Sequence, residues 1–425
     1  MGLDLKSYQD SLDFLFTRTT GAWKLGLDRV EAFLALIGAP HRDIATIHVA
    51  GTNGKGSVCA ALEAILRERG LRVGKYTSPH LVDFRERFLI DGRPVDPAQI
   101  VEFVERWTPD VERLGATFFE ATTAMAFDMF RSAAVDVAVI ETGLGGRLDA
   151  TNVVTPLVAG VSNIGIDHVE YLGNTRELIA AEKAGIFKSG VPAVIGEPDP
   201  AIAALLARIA GERGARPIRW IYAGDGPTAV EVSASGTMFS YGGRRWTSPL
   251  VGAHQAANAA LAIAMVEQLP TALAVPPAVM AAGLARTVLP GRFHRAGRYL
   301  FDVAHNPAGA RVLADTLRAA PVEGPVVAVL SVLDDKDWRG IMTALAPVVE
   351  RFILTLAPTS PASRSWRLAE PLGFARENGW PAVAQHDFDA ALAEGRDGGG
   401  TVLVTGSFHT VGDAMARLEV SPTAG

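Results

Sequence analysis

The chain has 425 residues, of which 48% are hydrophobic and 20% are charged, and its formal net charge is −6. This length predicts two or three domains, and the composition is that of a globular protein without a basic tract, which excludes nucleic acid as the main expected partner. Residues 1–6 lack an apolar core and the alanine-rich segment 256–285 is interrupted by polar residues and prolines, so neither a signal peptide nor a membrane span is predicted.

The first predicted strand and helix enclose a phosphate-binding loop. An apolar run at residues 44–50 leads into the glycine-rich stretch 51–57, and an amphipathic helical pattern follows. The backbone N–H groups of such a turn and the N-terminus of the helix bind phosphate oxygens. Val49 replaces the first glycine of the usual G-x-x-x-x-G-K-[ST] pattern, which indicates a different class of phosphate loop. We predict that ATP binds through Thr52, Asn53, Gly54, Lys55, Gly56 and Ser57; the alternative is an ordinary turn with an exposed lysine.

The single cysteine lies on the helix that follows this loop. Cys59 is adjacent to an apolar stripe formed by Val58, Leu62, Ile65 and Leu66, so we predict a small core residue rather than a reactive thiol. Because one cysteine cannot form a disulfide within the chain, the expected location of the protein is the cytoplasm.

Strand and helix patterns then alternate along the chain, which predicts a mainly parallel sheet covered on both faces. Strands are predicted at residues 71–76, 135–140, 157–161 and 191–195, and a small antiparallel insert at residues 230–250. A second series has strands at 299–303, 325–330, 352–356 and 401–404 and a helix from Pro307 to about Ala319. The expected fold is α/β, with an N-terminal P-loop ATPase-like domain (residues 1–289) and a smaller C-terminal Rossmann-like domain (residues 290–425).

Polar residues follow several of these strands. Glu141 ends the strand at 135–140, where a P-loop enzyme needs a carboxylate for Mg²⁺; the alternatives are a helix cap or an ion pair. His168 follows the next strand and is a candidate metal ligand. The glycines at 143 and 145 begin a dinucleotide-binding pattern, but Leu148 takes the place of its third glycine, so nicotinamide binding is not expected.

Three further residues have less specific local signals. The pattern around Lys183 is that of a solvated helix lysine and assigns it no role. Asp302 lies where a strand of the second series ends in polar residues. Arg292 follows Pro290 and Gly291 in the predicted hinge, where it could bind a phosphate; hinge packing is the alternative.

Taken together, these motifs resemble the folylpolyglutamate synthase and bifunctional dihydrofolate synthase/folylpolyglutamate synthase family of the Mur ligase superfamily. The resemblance extends from about Leu25 to Ser407. The blocks that carry it are residues 46–57, 76–80, 119–120, 141–152, 166–168, 182–188, 254–258, 290–293 and 302–307. It implies an ATP-dependent amide ligase that phosphorylates the carboxylate of dihydropteroate or a reduced folate and then lets the amine of L-glutamate attack the acyl phosphate.

The resemblance also implies roles for residues at matching positions. The implied Mg²⁺ ligands are Ser57, Ser78, Glu141 and His168, and the implied ATP contacts are Asn258, Arg292, Asp302 and His305. Lys183 matches a lysine that is carbamylated in this superfamily and helps to place a second Mg²⁺. Thr117, Phe119, Asp149 and Ala150 correspond to the pterin pocket, and Ser407 falls near the glutamate site, although residues 408–410 depart from the usual sequence there. The expected catalytic residues are Lys55, Lys183 and His305.

Two other functional classes stay open at this point. A Mur-type ligase that extends a peptidoglycan precursor shares the fold and the mechanism, although the residues at 54–57 and 77–80 favour the folate branch. A nucleotide-switched binding protein would use ATP without glutamate. The expected partners are ATP, L-glutamate and a dihydropteroate or folate substrate, and the expected state is a monomer. We expect a bifunctional enzyme, because Phe119 offers an aromatic face to a flat pterin.

Overall fold

The computed structural model describes residues 5–19, 26–224 and 226–420. Leu25, where the resemblance begins, and Met1–Asp4, for which no signal peptide is predicted, lie outside these ranges. Among the described residues, no helix combines the length and the apolar character that crossing a bilayer requires.

Helices and strands alternate along most of the chain. The strands are β1 (Thr46–Ala50), β2 (Val73–Tyr76), β3 (Phe88–Ile90), β4 (Arg93–Pro94), β5 (Val137–Glu141), β6 (Val158–Val161), β7 (Ala193–Ile195), β8 (Ile218–Trp220), β9 (Thr228–Ser233), β10 (Gly236–Tyr241), β11 (Arg244–Ser248), β12 (His294–Ala296), β13 (Tyr299–Asp302), β14 (Val326–Leu330), β15 (Arg351–Leu354), β16 (Ala382–Ala384) and β17 (Thr401–Thr405). The α-helices are α1 (Leu5–Thr17), α2 (Asp28–Leu36), α3 (Lys55–Glu68), α4 (Pro97–Leu114), α5 (Phe118–Ser132), α6 (Val169–Leu172), α7 (Arg176–Lys183), α8 (Pro200–Glu212), α9 (Ala253–Val266), α10 (Pro277–Leu284), α11 (Pro307–Ala319), α12 (Trp338–Leu345), α13 (Ala369–Glu377), α14 (Phe388–Asp397) and α15 (Phe408–Arg417).

The structure divides into two compact units. The first contains the described residues of Met1–Ser78, Arg85–Pro227 and Ala257–Thr287, and the second contains those of Pro79–Phe84, Thr228–Ala256 and Val288–Gly425. The predicted domain division at residue 289 stays a prediction.

The first unit is built on an eight-stranded sheet with the strand order β4-β3-β2-β5-β1-β6-β7-β8. From β2 to β8 in this order the neighbouring strands are parallel, whereas β3 and β4 are antiparallel additions. The carboxyl ends of parallel strands share one edge of a sheet, so the segments that follow β2, β5, β1 and β6 meet there. This topology confirms the predicted mainly parallel sheet.

Three strands of this sheet begin two residues later than predicted. One is β7, expected at 191–195, which starts at Ala193, and the other two share a cause. The strand expected at 71–76 starts at Val73, and the one expected at 135–140 starts at Val137. Asp136 accounts for both differences, because its Oδ2 accepts from the Arg72 N–H at 2.7 Å and its own N–H donates to the Arg72 carbonyl at 2.8 Å. These two hydrogen bonds join the residues that directly precede β2 and β5. β5 ends with Glu141, as predicted.

The centre of the first unit is buried on both faces of the sheet. All five residues of β1 are buried, as is typical of a covered parallel sheet, and they include the polar Thr46 and His48. Helix α3 packs on one face, and the burial of Cys59 confirms the predicted core position and raises the pKa of its thiol. Helix α10 lies directly against α3, because a Cβ added at Gly283 would be 2.5 Å from the Cα atom of Ile65.

The second unit contains a six-stranded sheet with the order β12-β13-β17-β14-β15-β16, parallel except for β12. A separate three-stranded antiparallel sheet, β11-β10-β9, confirms the predicted insert. Helix α11 begins at Pro307 and ends at Ala319, as predicted. The side chain of Asn306 caps it by accepting from the Gly309 N–H at 2.8 Å, and proline suits the first helical position because its missing N–H would have no partner there.

Candidate active site

The phosphate loop joins β1 to α3 with two glycines in the left-handed region. Gly51 has φ +151° and Gly54 has φ +85°. A Cβ added at Gly51 would lie 1.8 Å from Oγ of Ser162, and one at Gly54 would lie 2.4 Å from Oδ1 of Asn258. The glycines therefore allow both the backbone turn and the close approach of neighbouring side chains. The predicted strand, loop and helix are confirmed, and Asn258 of α9 contacts the loop.

The segment that follows β6 holds the loop from its other side. The backbone N–H of Thr52 donates to the Asn163 carbonyl at 2.8 Å, and that of Asn53 donates to Asn163 Oδ1 at 2.9 Å. The hydroxyl of Ser162 donates to the Asn53 carbonyl at 2.6 Å. Sequence analysis gave Ser162 and Asn163 no role, although their position directly after the strand beside β1 is the signal that identifies them.

Two lysines converge on one carbonyl of the loop. Nζ of Lys55 donates to the Gly51 carbonyl at 3.0 Å and to the Thr52 carbonyl at 3.3 Å, and Nζ of Lys183 donates to the Gly51 carbonyl at 2.9 Å. Burial, and secondarily the charge of Lys55, lowers the pKa of Lys183 to about 7, while Asp167 acts in the opposite direction. An amine with this pKa is partly neutral at physiological pH.

The expectation that Lys183 is a solvated helix residue is wrong, because only 4% of it is exposed. It is the last residue of α7 and lies three and four positions after the buried residues Ala180 and Ile179, which places it on the apolar stripe. A Cβ added at Gly146 would lie 2.8 Å from the Lys183 carbonyl, so the glycine loop covers the end of the helix closely. The spacing of Lys183 from these buried residues was the signal in the sequence that could have predicted its burial.

The residues proposed to bind metal lie at one edge of the first unit's sheet. Ser78 follows β2, Glu141 ends β5 and His168 follows β6. Strands β5 and β6 flank β1, and β2 lies on the far side of β5. Glu141 pairs with Val49 in register and is buried, whereas 38% of the His168 side chain is exposed. The Nε2 atom of His168 lies 4.0 Å from Oδ2 of Asp167.

The donor set at this edge fits a hard cation. Ser57, on the first turn of α3, and Ser78 supply hydroxyl oxygens, and Glu141 supplies a carboxylate, which are the ligand types that Mg²⁺ prefers. Within the described ranges, no three His, Cys, Asp or Glu residues form a ready-made metal cluster. Mg²⁺ takes much of its coordination from phosphates and water.

The four residues that the resemblance assigns to the pterin are here called the slot residues: Thr117, Phe119, Asp149 and Ala150. Thr117 caps α5 by accepting from the Glu120 N–H at 3.3 Å, and the Phe119 ring closely adjoins the backbone, since a Cβ added at Gly143 would lie 2.4 Å from its Cζ. The Phe119 ring centroid is 5.9 Å from that of Tyr76.

Asp149 is buried and its carboxylate is hydrogen-bonded within its own loop. Oδ2 accepts from the Leu144 N–H at 2.7 Å, and Oδ1 accepts from the N–H of Thr151 at 3.0 Å and from its hydroxyl. Burial raises the pKa of Asp149, although these hydrogen bonds oppose the rise. The Thr151 hydroxyl also meets Nε2 of the buried His48 at 2.8 Å, so β1 and the loop that carries Ala150 are linked.

The remaining predicted residues lie in the second unit. Asp302 ends β13, and its carboxylate accepts from the N–H groups of Phe293 at 2.9 Å and Ala304 at 3.0 Å; burial raises its pKa. Nδ1 of His305 donates to the Val303 carbonyl at 2.9 Å, since a carbonyl can only accept.

Arg292 and His305 both adjoin Phe408, which sequence analysis noted only as part of a departure from the family's usual sequence. The Arg292 guanidinium carbon lies 5.2 Å from the Phe408 ring centroid, and the His305 ring centroid lies 5.8 Å from it. Ser407 precedes this residue and caps α15 by accepting from the Thr410 N–H at 3.0 Å. The second unit therefore brings Arg292 and His305 to one aromatic ring, and Ser407 precedes the residue that carries it.

Comparison with known proteins identifies the family. The model described as Mur ligase middle domain matches residues 49–266, and the one described as Mur ligase, glutamate ligase domain matches residues 291–408. The dihydrofolate synthase/folylpolyglutamate synthase of Escherichia coli strain K12 is 37% identical over 429 residues, covering 99% of this chain and 97% of that protein. The chain belongs to the dihydrofolate synthase/folylpolyglutamate synthase family. This confirms the resemblance and favours the folate branch over the peptidoglycan branch.

Solved structures support the same family. Escherichia coli FolC in complex with DHPP and ADP has a TM-score of 0.83 and 34% identity, covering 97% of each chain. A bifunctional folylpolyglutamate synthase/dihydrofolate synthase with Mn, AMPPNP and L-glutamate bound has a TM-score of 0.81 and 34% identity, covering 97% of this chain and 98% of that one. The predicted α/β fold is confirmed by both.

Proposed function

We propose that this protein is an ATP-dependent ligase that joins L-glutamate to dihydropteroate and to reduced folates. The observation that carries the proposal is the pair of amino groups, those of Lys55 and Lys183, that meet at the Gly51 carbonyl of the phosphate loop. In a family of glutamate ligases, this pairing places Lys183 beside the lysine that we assign to the polyphosphate. The family membership supplies the reaction class.

The proposed chemistry has two steps. A carboxylate oxygen of the substrate attacks the γ-phosphorus of ATP, the bond to the β-phosphate oxygen breaks, and ADP leaves. The amine of glutamate then attacks the acyl carbon, phosphate leaves, and the amine loses a proton. Because a carboxylate is a poor acyl donor, the phosphorylation supplies the leaving group that amide formation needs.

The phosphate loop is assigned to ATP. The backbone N–H groups at 54–57 and the N-terminus of α3 favour anions, and Nζ of Lys55 would exchange its two carbonyl acceptors for phosphate oxygens. Asn258 adjoins this loop in the first unit. From the second unit, we assign Arg292, Asp302 and His305 to the nucleotide, and Ser407 to glutamate.

Ser57, Ser78, Glu141 and His168 are the residues that would hold Mg²⁺, which neutralises charge on the transferring phosphoryl group when bound. Lys183 is assigned as a carbamate. Its neutral amine adds to carbon dioxide, an N–C bond forms, an N–H proton leaves, and the new carboxylate offers oxygen ligands for a second Mg²⁺. The lowered pKa of Lys183 supports this assignment, because only the neutral amine reacts.

The slot residues are assigned to the pterin. Phe119 presents an aromatic ring, whose face suits a flat heterocycle. Because the Asp149 carboxylate already accepts from its own loop, its contribution is to fix the backbone around Ala150. A pterin site at the slot residues would accept the ring that dihydropteroate and folates share, and we assign both as substrates.

The proposal also includes a cellular location and an oligomeric state. The single cysteine, Cys59, is buried and free, which suits the reducing cytoplasm. We expect a monomer, and sedimentation of the purified protein measures this directly.

The test is a product analysis. Purified protein receives ATP, Mg²⁺ and L-glutamate with either dihydropteroate or tetrahydrofolate, and products are identified by mass spectrometry. We expect both substrates to gain one glutamyl residue. Extension of tetrahydrofolate alone would reduce the activity to folylpolyglutamate synthase, and extension of neither would reject the proposal.

A further inference from the structure

We propose that Arg29 is a positioning residue for substrate binding, acting through Glu120 on the slot residues Thr117 and Phe119. The inference rests on the proposed function, because it assumes that the slot binds the pterin. Arg29 lies on the first turn of α2, and Glu120 lies on the first turn of α5. The residues are 91 positions apart, so their contact is made by the fold.

The two side chains form an ion pair that contains one hydrogen bond. Nε of Arg29 donates to Oε2 of Glu120 at 3.1 Å, and Nη2 of Arg29 lies 2.9 Å from Oε1. Only 4% of the Glu120 side chain is exposed, compared with 28% of that of Arg29. A buried carboxylate that loses its counter-charge is strongly unfavourable, so the pair fixes the position of Glu120.

Glu120 is also half of the capping box that starts α5. Its Oε2 accepts from the Thr117 N–H at 2.8 Å, and its own N–H donates to Oγ1 of Thr117 at 3.3 Å. One carboxylate therefore binds Arg29 and orients Thr117. Phe119 lies between these two residues on the same turn, and its ring adjoins Gly143. Moving Glu120 would therefore move both slot residues.

Helix α1 and Arg18, the residue that follows it, support the same turn. The Phe118 N–H donates to the Arg18 carbonyl at 3.3 Å, and the ring of Phe118 stacks on that of Phe16 with centroids 5.4 Å apart. Both supporting helices precede residue 49, where the match to the Mur ligase middle domain begins. The geometry therefore makes α1 and α2 supports of the turn that carries Thr117 and Phe119.

The test compares Arg29→Met and Arg29→Lys with the wild type. Methionine keeps an apolar stem without the guanidinium, and lysine keeps the charge without the Nε–H that donates to Glu120. Because small displacements in a binding site are costly, we expect the KM for dihydropteroate to rise about tenfold in Arg29→Met. The rise should be smaller in Arg29→Lys. The KM for ATP should stay near the wild-type value in both variants. An unchanged KM for dihydropteroate in Arg29→Met would reject the inference.

A double variant separates positioning from direct substrate contact. In Arg29→Met/Glu120→Gln the buried charge is gone, while the amide oxygen of glutamine can still accept from the Thr117 N–H. We expect the KM for dihydropteroate to return part of the way to the wild-type value. If Arg29 bound the substrate itself, the second substitution would restore nothing.

Arg131→Met is the matched control. Arg131 lies at the other end of α5 and donates to the carbonyls of Ile37 and Gly38, both at 3.0 Å. Its loss should lower the melting temperature without raising the KM for dihydropteroate. An equal rise in KM would show that general loosening of the helices is responsible. A wild-type protein that forms no glutamylated product would instead reject the proposed function.

Discussion

At the scale of single residues, Lys183 combines burial with a neighbouring positive charge. Its Nζ shares the Gly51 carbonyl with Nζ of Lys55, and its pKa of about 7 lies below the ordinary lysine value of 10.5. Between these two values the unfolded chain holds a proton that the folded chain has lost. The folded state is therefore penalised at low pH, and its stability increases as the pH rises.

The pH dependence of stability can be compared between the wild type and Lys183→Met in buffer free of carbon dioxide. Between pH 7 and pH 9, the free energy of unfolding of the wild type should rise by about 1 kcal/mol per pH unit relative to that of Lys183→Met. Denaturant unfolding followed by circular dichroism measures this difference. Parallel pH profiles for the two proteins would show that Lys183 is protonated in the folded state. Lys183→Met should also be nearly inactive while remaining folded.

Burial of Lys183 could be read only in part from the sequence. Its spacing from Ile179 and Ala180 places it on an apolar stripe, but lysine is usually solvated, and the local pattern does not show what covers it. The covering loop at Gly146 comes from a different part of the chain. The pair of Arg29 and Glu120 had no local signal at all, because it joins two helices far apart in the sequence.

At the scale of elements, the strand order places β1 between β5 and β6. This order brings the ends of β5 and β6 to either side of the phosphate loop. The loop was predictable because its signals are local: an apolar run, glycines and a helical pattern. The order of the strands was not, since each connection passes through a helix and the local patterns do not state which strands become neighbours.

Glu141 and His168, at or after the ends of β5 and β6, are assigned to Mg²⁺ and can be tested by substitution. Glu141→Gln and His168→Ala should each raise the Mg²⁺ concentration for half-maximal ADP release about tenfold or more. Glu170→Gln is the control, because Glu170 is exposed on α6 two residues after His168. A Mg²⁺ titration of ADP release compares the three variants. Unchanged requirements for both Glu141→Gln and His168→Ala would leave these residues with structural roles only.

At the scale of the whole molecule, the two units each carry part of the predicted machinery. The first unit contains the phosphate loop, Lys183 and the slot residues, and the second contains Arg292, Asp302, His305 and Ser407. The alternation of strands and helices was sufficient to predict two α/β sheets. The grouping of Thr228–Ala256 with the second unit depends on tertiary contacts and had no compositional signal.

The central claim is that the substrate carboxylate becomes an acyl phosphate. Dihydropteroate carrying heavy oxygen in both positions of its carboxylate is supplied with ATP, Mg²⁺ and L-glutamate, and the released phosphate is analysed by mass spectrometry. The proposed mechanism predicts one heavy oxygen in each phosphate, because the bond that breaks in the second step joins the acyl carbon to a former carboxylate oxygen. Product formation with unlabelled phosphate would contradict the mechanism.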